Sequence, residues 1–118
     1  MNGSVAVDVW VRGTHHATTH EITSLPSTPA AWTDDDVRRL LSEMLLALER
    51  ESNPGGDPPP VTLRGFSWIV SRDESGVLVH LDMQMGTASA GPIAIEEARL
   101  NDMISRVMDP RQPSARVH

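Results

Sequence analysis

The chain has 118 residues, with ten arginines and no lysine, sixteen acidic residues and no cysteine. Its net charge of −6 argues against nucleic acid and anionic membranes as partners, because binding to phosphates requires a basic surface. Without cysteine there is no disulfide, no thiolate nucleophile and no cysteine-based zinc site. The sequence shows no secretory signal and no apolar run of the roughly 20 residues that a membrane span needs, so we expect a cytoplasmic protein.

The beginning of the chain predicts a β-hairpin. Over residues 5–12 the valines alternate with other residues, which is typical of a strand with one apolar face; they are Val5, Val7, Val9 and Val11. Gly13-Thr14 indicates a turn, and the threonine-rich segment 16–22 predicts a return strand. That segment has few apolar residues, so we expect it at an edge of the sheet. A loop with two prolines is predicted over 24–31.

The first helix, predicted over residues 33–51, is the element with the clearest pattern. Thr33 is suited to the N-cap, and three aspartates follow it in the first turn, where they complement the helix dipole. Trp32 and Val37 occupy the positions of a hydrophobic staple. One apolar stripe then repeats with the helical period, formed by Val37, Leu40, Leu41, Met44, Leu45 and Leu48. We therefore expect this helix to bury one face.

The domain organisation follows from a segment rich in proline and glycine over residues 52–60. This segment can be neither helix nor strand, and it is predicted to link half-units over 1–51 and 61–108. Both half-units together form the predicted single domain, residues 1–108. Residues 109–118 have two prolines and no periodic pattern, and they are predicted to be a disordered tail.

The second half predicts another hairpin and another helix. A strand is expected over 61–71. Its apolar residues before Gly65 alternate out of step with those after it, and a bulge at Gly65 would bring both sets onto one face. Residues 77–85 alternate cleanly and predict the returning strand. The small residues over 86–92 predict a loop, and a helix is predicted over 95–108.

The two halves are candidates for an internal duplication. An offset of 63 residues aligns Pro29 with Pro92, Trp32 with Ile95, and the apolar stripes of the two helices. With or without a duplication, the predicted fold class is α+β. It is a two-layer ββαββα arrangement, with a four-stranded antiparallel sheet covered on one face by two helices. Two strand orders are left open. In one, the outer strands of the two hairpins meet at the centre of the sheet, and in the other the inner strands meet there.

Three groups of polar residues are candidate sites, and none carries a catalytic signature. His16 and His20 suit a metal or an acid–base site, but on an extended strand they lie ~13 Å apart, too far for one ion. The aspartates 34–36 are already explained by the helix dipole. His80 and Asp82 share a strand face as an acid–base pair would, although polar residues are the norm on the outer face of such a sheet. We expect no metal and no cofactor.

The sheet face opposite the helices is the predicted interface. Trp10, Ile69 and Leu78 are large, apolar and out of phase with the core, and a soluble monomer seldom exposes such residues together. A two-fold homodimer would bury them, either sheet face on sheet face or edge strand beside edge strand. The alternative is a monomer in which the tail or the linker covers them.

The leading functional hypothesis is a non-enzymatic protein–protein interaction or adaptor domain that self-associates and contacts an unidentified protein partner. The chain has no lysine for a Schiff base, no phosphate-binding loop and no Gly-x-Ser-x-Gly elbow. One alternative is a small-molecule or metal-binding domain that uses the His16 and His20 face. Another is an acidic inhibitor or immunity-type protein that masks a basic partner site, and its binding would depend strongly on salt.

Overall fold

The computed structural model describes residues 2–26, 28–52, 66–84 and 86–108. Within them, an antiparallel sheet of five strands lies against two α-helices in an α+β fold. The elements in chain order are β1 (Asn2–Val11), β2 (Thr18–Pro26), α1 (Asp34–Ser52), β3 (Ser67–Asp73), β4 (Gly76–Met83), β5 (Gly86–Ile93) and α2 (Glu97–Met108), and a short 3-10 helix, Pro29–Ala31, precedes α1. No helix in the described part of the chain is long and apolar enough to cross a membrane.

The strand order is β2-β1-β5-β4-β3. The polar strand β2 lies at an edge, as the sequence predicted. The first and last strands, β1 and β5, pair at the centre, with Val9 opposite Ala88. Neither predicted strand order is found, because the predicted strands over 5–12 and 77–85 do not pair with each other: β5 lies between β1 and β4.

The prediction of four strands was wrong, because residues 86–93 form strand β5 rather than a loop. β5 pairs with β1 on one side and β4 on the other. Its side chains toward the helices are Ala88 and Ala90, both fully buried beneath α1. Small residues fit this position because a helix lies directly over the strand, so that packing rather than intrinsic strand preference selects them.

α1 confirms the predicted helix and begins with a reciprocal cap. The backbone N–H of Thr33 donates to Asp36 Oδ2 at 2.9 Å, and the backbone N–H of Asp36 donates to Thr33 Oγ1 at 3.4 Å. The apolar stripe of α1 is buried against the sheet. Trp32, just before the cap, is also buried, and its indole N–H donates to the carbonyl oxygen of Pro26 at 3.1 Å.

Polar contacts join α2 to the start of α1. The Arg106 guanidinium donates two hydrogen bonds of 2.9 Å to the carboxylate of Asp34, and Arg99 Nη2 donates to the carbonyl oxygen of Trp32 at 2.9 Å. The hydrogen bond from Arg106 is the main cause that lowers the pKa of Asp34. These contacts hold the two helices side by side above the sheet.

The apolar core lies between the helices and one face of the sheet. β1 contributes Val5, Val7 and Val9, and β4 contributes Val77, Val79 and Leu81, all of them buried. No polar side chain is buried among the described residues. The alternating residues of these strands point to the opposite face, which neither helix covers.

The duplication stays a prediction. The 63-residue offset carries the first residue of α1, Asp34, onto the first residue of α2, Glu97. It also carries β2 onto residues 81–89, which include the end of β4 and the start of β5. The offset also carries β1 onto residues 65–74, which contain β3. The helices and these two strands therefore correspond under the offset, whereas β2 does not correspond to a single strand.

Some predictions concern residues outside those described. They are the linker over 52–60, the first part of the strand expected over 61–71 with its bulge at Gly65, and the tail over 109–118. Of the linker, only Ser52 is described, and it is the last residue of α1. The boundaries of the predicted domain stay a prediction for the same reason.

Candidate functional site: the open face of the sheet

The sheet face that points away from both helices, here called the open sheet face, is the candidate site. One row of directly paired residues crosses all five strands on this face: Thr19, Asp8, Ser89, His80 and Ile69. Ser71 and Leu78 form the next pair on β3 and β4, and Trp10 lies on β1. The face thus combines a polar centre with apolar side chains.

His80 is the centre of a hydrogen-bond network that joins three neighbouring strands. Its Nδ1 lies 2.8 Å from Ser89 Oγ on β5, and its Nε2 lies 3.1 Å from Ser71 Oγ on β3. Further along the row, Thr19 Oγ1 donates to Asp8 Oδ1 at 2.8 Å. The polar side chains in this row therefore have defined positions without any ligand.

The serine–histidine contacts invite comparison with a catalytic pair. A neutral imidazole has one donor and one acceptor nitrogen, so one of the two serines must direct its proton at the ring, as an activated nucleophile does. Acyl transfer also needs free donors for the oxyanion, and β5 pairs with a strand on each side, so the backbone N–H groups around Ser89 serve the sheet. The network therefore positions side chains across three strands, and among the described residues Ser89 has no such free donor beside it in the sheet.

Asp82 is not the partner of His80, although the two residues point to the same face. Both ring nitrogens of His80 already have serine partners, whereas Asp82 is exposed and is paired with Thr87 and Ser67 in the sheet. The structure therefore agrees with a polar outer face at these positions and gives the acid–base pair no support.

The predicted interface residues share the open sheet face but do not form a single patch. Ile69 on the edge strand β3 is 62% exposed, and Leu78 on β4 is half-buried. Ile69 is diagonal to Leu78, because their direct partners are His80 and Ser71 respectively. Trp10 lies three strands from Ile69, about 14 Å away at the usual strand spacing.

Trp10 has partners of its own at one end of β1. Its indole N–H donates to the carbonyl oxygen of Thr14 at 3.2 Å, and the Arg12 guanidinium lies 5.8 Å from the centre of its ring. Arg12 also donates to the carbonyl oxygen of Gln84 at 2.9 Å, which joins β1 to the turn after β4. Local contacts thus already cover part of the indole.

The two histidines of the predicted ligand face do not share a strand. β2 begins at Thr18, so His16 lies in the preceding turn and is exposed. His20 points to the helix side, where its Nε2 lies 3.0 Å from Glu51 Oε2 at the end of α1. The expectation of a common strand face was wrong, because the turn extends further than the threonine-rich pattern suggested.

The surroundings of His16 and His20 offer little room for a ligand. The hollow beside His16 has a volume of about 90 Å³ and is also lined by Val9, Val11, Thr14, Thr18 and Glu51, the partner of His20. Small-molecule sites usually enclose about 300–1,000 Å³. Within the described residues, no three histidine, aspartate or glutamate side chains come together as metal ligands would.

Sequence reasoning missed the Ser71–His80–Ser89 network. Ser89 was assigned to a loop, and neither serine belongs to a motif. The alternation of β4 did place His80 on the outer face, but only the pairing of β4 with β3 and β5 brings the serines to it.

Comparison with known proteins found no match: no family model, no curated protein and no solved structure is significantly similar to this chain.

Proposed function

We propose that this protein is a non-enzymatic protein-interaction domain that self-associates, and that the open sheet face and the adjoining β3 edge form its contact surface. The observation that carries the proposal is Ile69, an aliphatic side chain that is 62% exposed and has half-buried Leu78 diagonal to it. Apolar side chains that neither helix covers, surrounded by polar groups, are typical of a modest protein interface.

The polar row supports the same proposal. Ser71, His80 and Ser89 are hydrogen-bonded to one another before any partner arrives. Side chains that are already positioned lose less conformational entropy when a partner binds, and hydroxyl and imidazole groups add directional contacts. A rigid polar centre beside exposed apolar residues is a suitable surface for recognition.

The acidic run at the start of α1 gives less support to an acidic inhibitor. Asp34 binds Arg106, Asp35 binds Arg38 at 2.8 Å, and Asp36 binds the Thr33 cap. Carboxylates that have partners within the chain are less available to a basic site on another protein.

The proposal is tested by comparing Ile69→Glu with Asn101→Glu by light scattering at tens of micromolar. Asn101 is exposed on α2, so this control adds the same charge away from the open sheet face. We expect the wild type and Asn101→Glu to be dimeric and Ile69→Glu to be more dissociated, with similar melting temperatures for all three. A monomeric wild type, or unchanged association of Ile69→Glu, would contradict the proposal.

A further inference from the structure

The two edges of the sheet differ in how well they discourage pairing with another strand. β2 has a register irregularity where it meets the start of β1, carries Glu21 and ends at Pro26. β3, Ser67–Asp73, has no proline or glycine, its charged residues Arg72 and Asp73 lie at its end, and the rest of the strand contains the apolar run 68–70. Charges, prolines and bulges are the usual protection of an edge strand. No other strand within the described ranges pairs with the outer side of β3.

Apolar side chains border β3 on both faces. Ile69 is exposed on the open sheet face, while Trp68 and Val70 point to the helix side and are only half-buried. α2 contacts β3 from that side, and its last residues, Val107 and Met108, are also half-buried. An added strand beside β3 would cover apolar surface on both faces and pair with the backbone groups of the edge that no described strand pairs with.

We propose that two copies of this chain pair antiparallel through β3, in a register centred on Val70, so that their sheets form one continuous sheet. This inference rests on the proposed self-association and specifies its geometry. A two-fold axis perpendicular to the sheet keeps both open faces on the same side, so opposed residues must share a face. The symmetric register must therefore be centred on a residue rather than between two residues. Val70 is the middle residue of β3, and only a register centred on it pairs every residue of this strand with a residue of the second β3.

Side-chain complementarity supports this register. It places Arg72 opposite Trp68 of the second copy, where a guanidinium and an indole can stack. Arg72 has no hydrogen-bond or ion-pair partner within the described residues, so it is available for this contact. The register also places Ser67, a donor, opposite the carboxylate of Asp73. A register centred on Ser71 would instead place Ile69 opposite Asp73.

The paired sheets would double the contact surface. The two open faces would lie side by side, with the Ile69 side chains on either side of the two-fold axis. Each face would keep its own Ser71–His80–Ser89 network. The dimer could therefore contact a symmetric partner through both faces at once.

Because the chain has no cysteine, single cysteines can test the register. Opposed residues of an antiparallel pair have Cα atoms about 4.5–5.5 Å apart, within disulfide range, whereas diagonal residues are about 7–8 Å apart. We expect Val70→Cys to form a covalent dimer on oxidation with diamide. Ile69→Cys and Ser71→Cys should each crosslink poorly alone and efficiently when mixed, and this mixture tests the register independently of Val70.

The controls are Thr19→Cys on the β2 edge and Trp10→Cys on the open sheet face, and both are expected to stay uncrosslinked. A dimer that crosslinks through Trp10→Cys or Thr19→Cys, but not through Val70→Cys or the mixture, would overturn this inference and leave the proposed self-association intact. A monomeric wild type by light scattering would overturn both.

Discussion

At the scale of single residues, the contact between Asp34 and Arg106 makes a prediction about pH. Both side chains are about half exposed, so solvent screens the pair, and Asp34→Asn should lower the free energy of unfolding at pH 7 by only about 0.5–1 kcal/mol. Folding lowers the pKa of Asp34, so this contribution is present above the ordinary value of 3.8 and is lost as the pH falls through the lower folded pKa.

Chemical denaturation at neutral and strongly acidic pH checks this prediction. Asp35→Asn is the matched control, because Asp35 shares the first turn of α1 and its ion pair within the described residues is with Arg38 of the same helix. A difference between wild type and Asp34→Asn that persists unchanged in strong acid would contradict the ion-pair explanation.

Substitutions at two glycines allow the cost of backbone strain to be measured separately from the cost of a steric clash. Both have positive φ, 96° at Gly13 and 133° at Gly91. A Cβ at Gly13 would meet nothing within 4 Å, whereas one at Gly91 would lie 2.6 Å from the Val77 carbonyl oxygen. We expect Gly13→Ala to cost about 1–2 kcal/mol from the left-handed backbone alone and Gly91→Ala to cost clearly more. Urea denaturation of both variants measures the difference in the free energy of unfolding. Equal losses would mean that the clash with the Val77 carbonyl oxygen adds nothing to the cost.

The histidines lead to a negative prediction about metals. His20 is paired with Glu51, and His16 lies in a turn. A ligand that binds only the folded state raises its stability by mass action. We therefore expect a few equivalents of zinc or nickel to leave the melting temperature unchanged in calorimetry. A clear rise that His20→Ala abolishes would instead locate a metal site on β2.

At the scale of elements, α1 is the central prediction about stability. Leu41 is fully buried between α1 and the sheet, and Leu41→Ala should cost about 2–5 kcal/mol through lost contacts and the cavity left behind. Leu46→Ala is the matched control, because Leu46 is on the same helix and only half-buried. Chemical denaturation should show a clearly smaller loss for the control, and a neutral Leu41→Ala would mean that the apolar stripe does not face the core.

The cap of α1 provides a second test at this scale. Thr33→Ala removes the side-chain acceptor for the Asp36 N–H and is expected to cost about 1 kcal/mol. Thr33→Ser keeps a hydroxyl at the same position and should recover most of the loss in the same denaturation experiment. If serine and alanine are equally destabilising, the hydroxyl does not act as the cap.

At the scale of the whole molecule, net charge makes a prediction about self-association. Two copies that each carry −6 repel one another, and salt screens that repulsion. If apolar surface and backbone pairing hold the dimer, as we propose, then raising sodium chloride from low to moderate concentration should leave its affinity unchanged or increase it. Sedimentation at several salt concentrations measures this, and a steep loss of affinity would favour ionic contacts instead.

Several features of this protein follow from sequence alone, because they are set by local periodicity. The alternation of Val5, Val7 and Val9, and of Val77, Val79 and Leu81, determines which face of each strand is buried. The apolar stripe and the Thr33 cap determine where α1 lies along the chain and which face it buries. Together they predict a sheet with helices on one face.

Other features depend on which strands become neighbours, and only the tertiary structure decided them. Ala88 and Ala90 belong to a strand because β1 and β4 pair on either side of them and α1 lies above. His80 meets Ser71 and Ser89 for the same reason, since each comes from a different strand. Such contacts leave no periodic pattern in the chain, because burial and hydrogen-bond partners across a sheet are set by strand order and register rather than by local sequence.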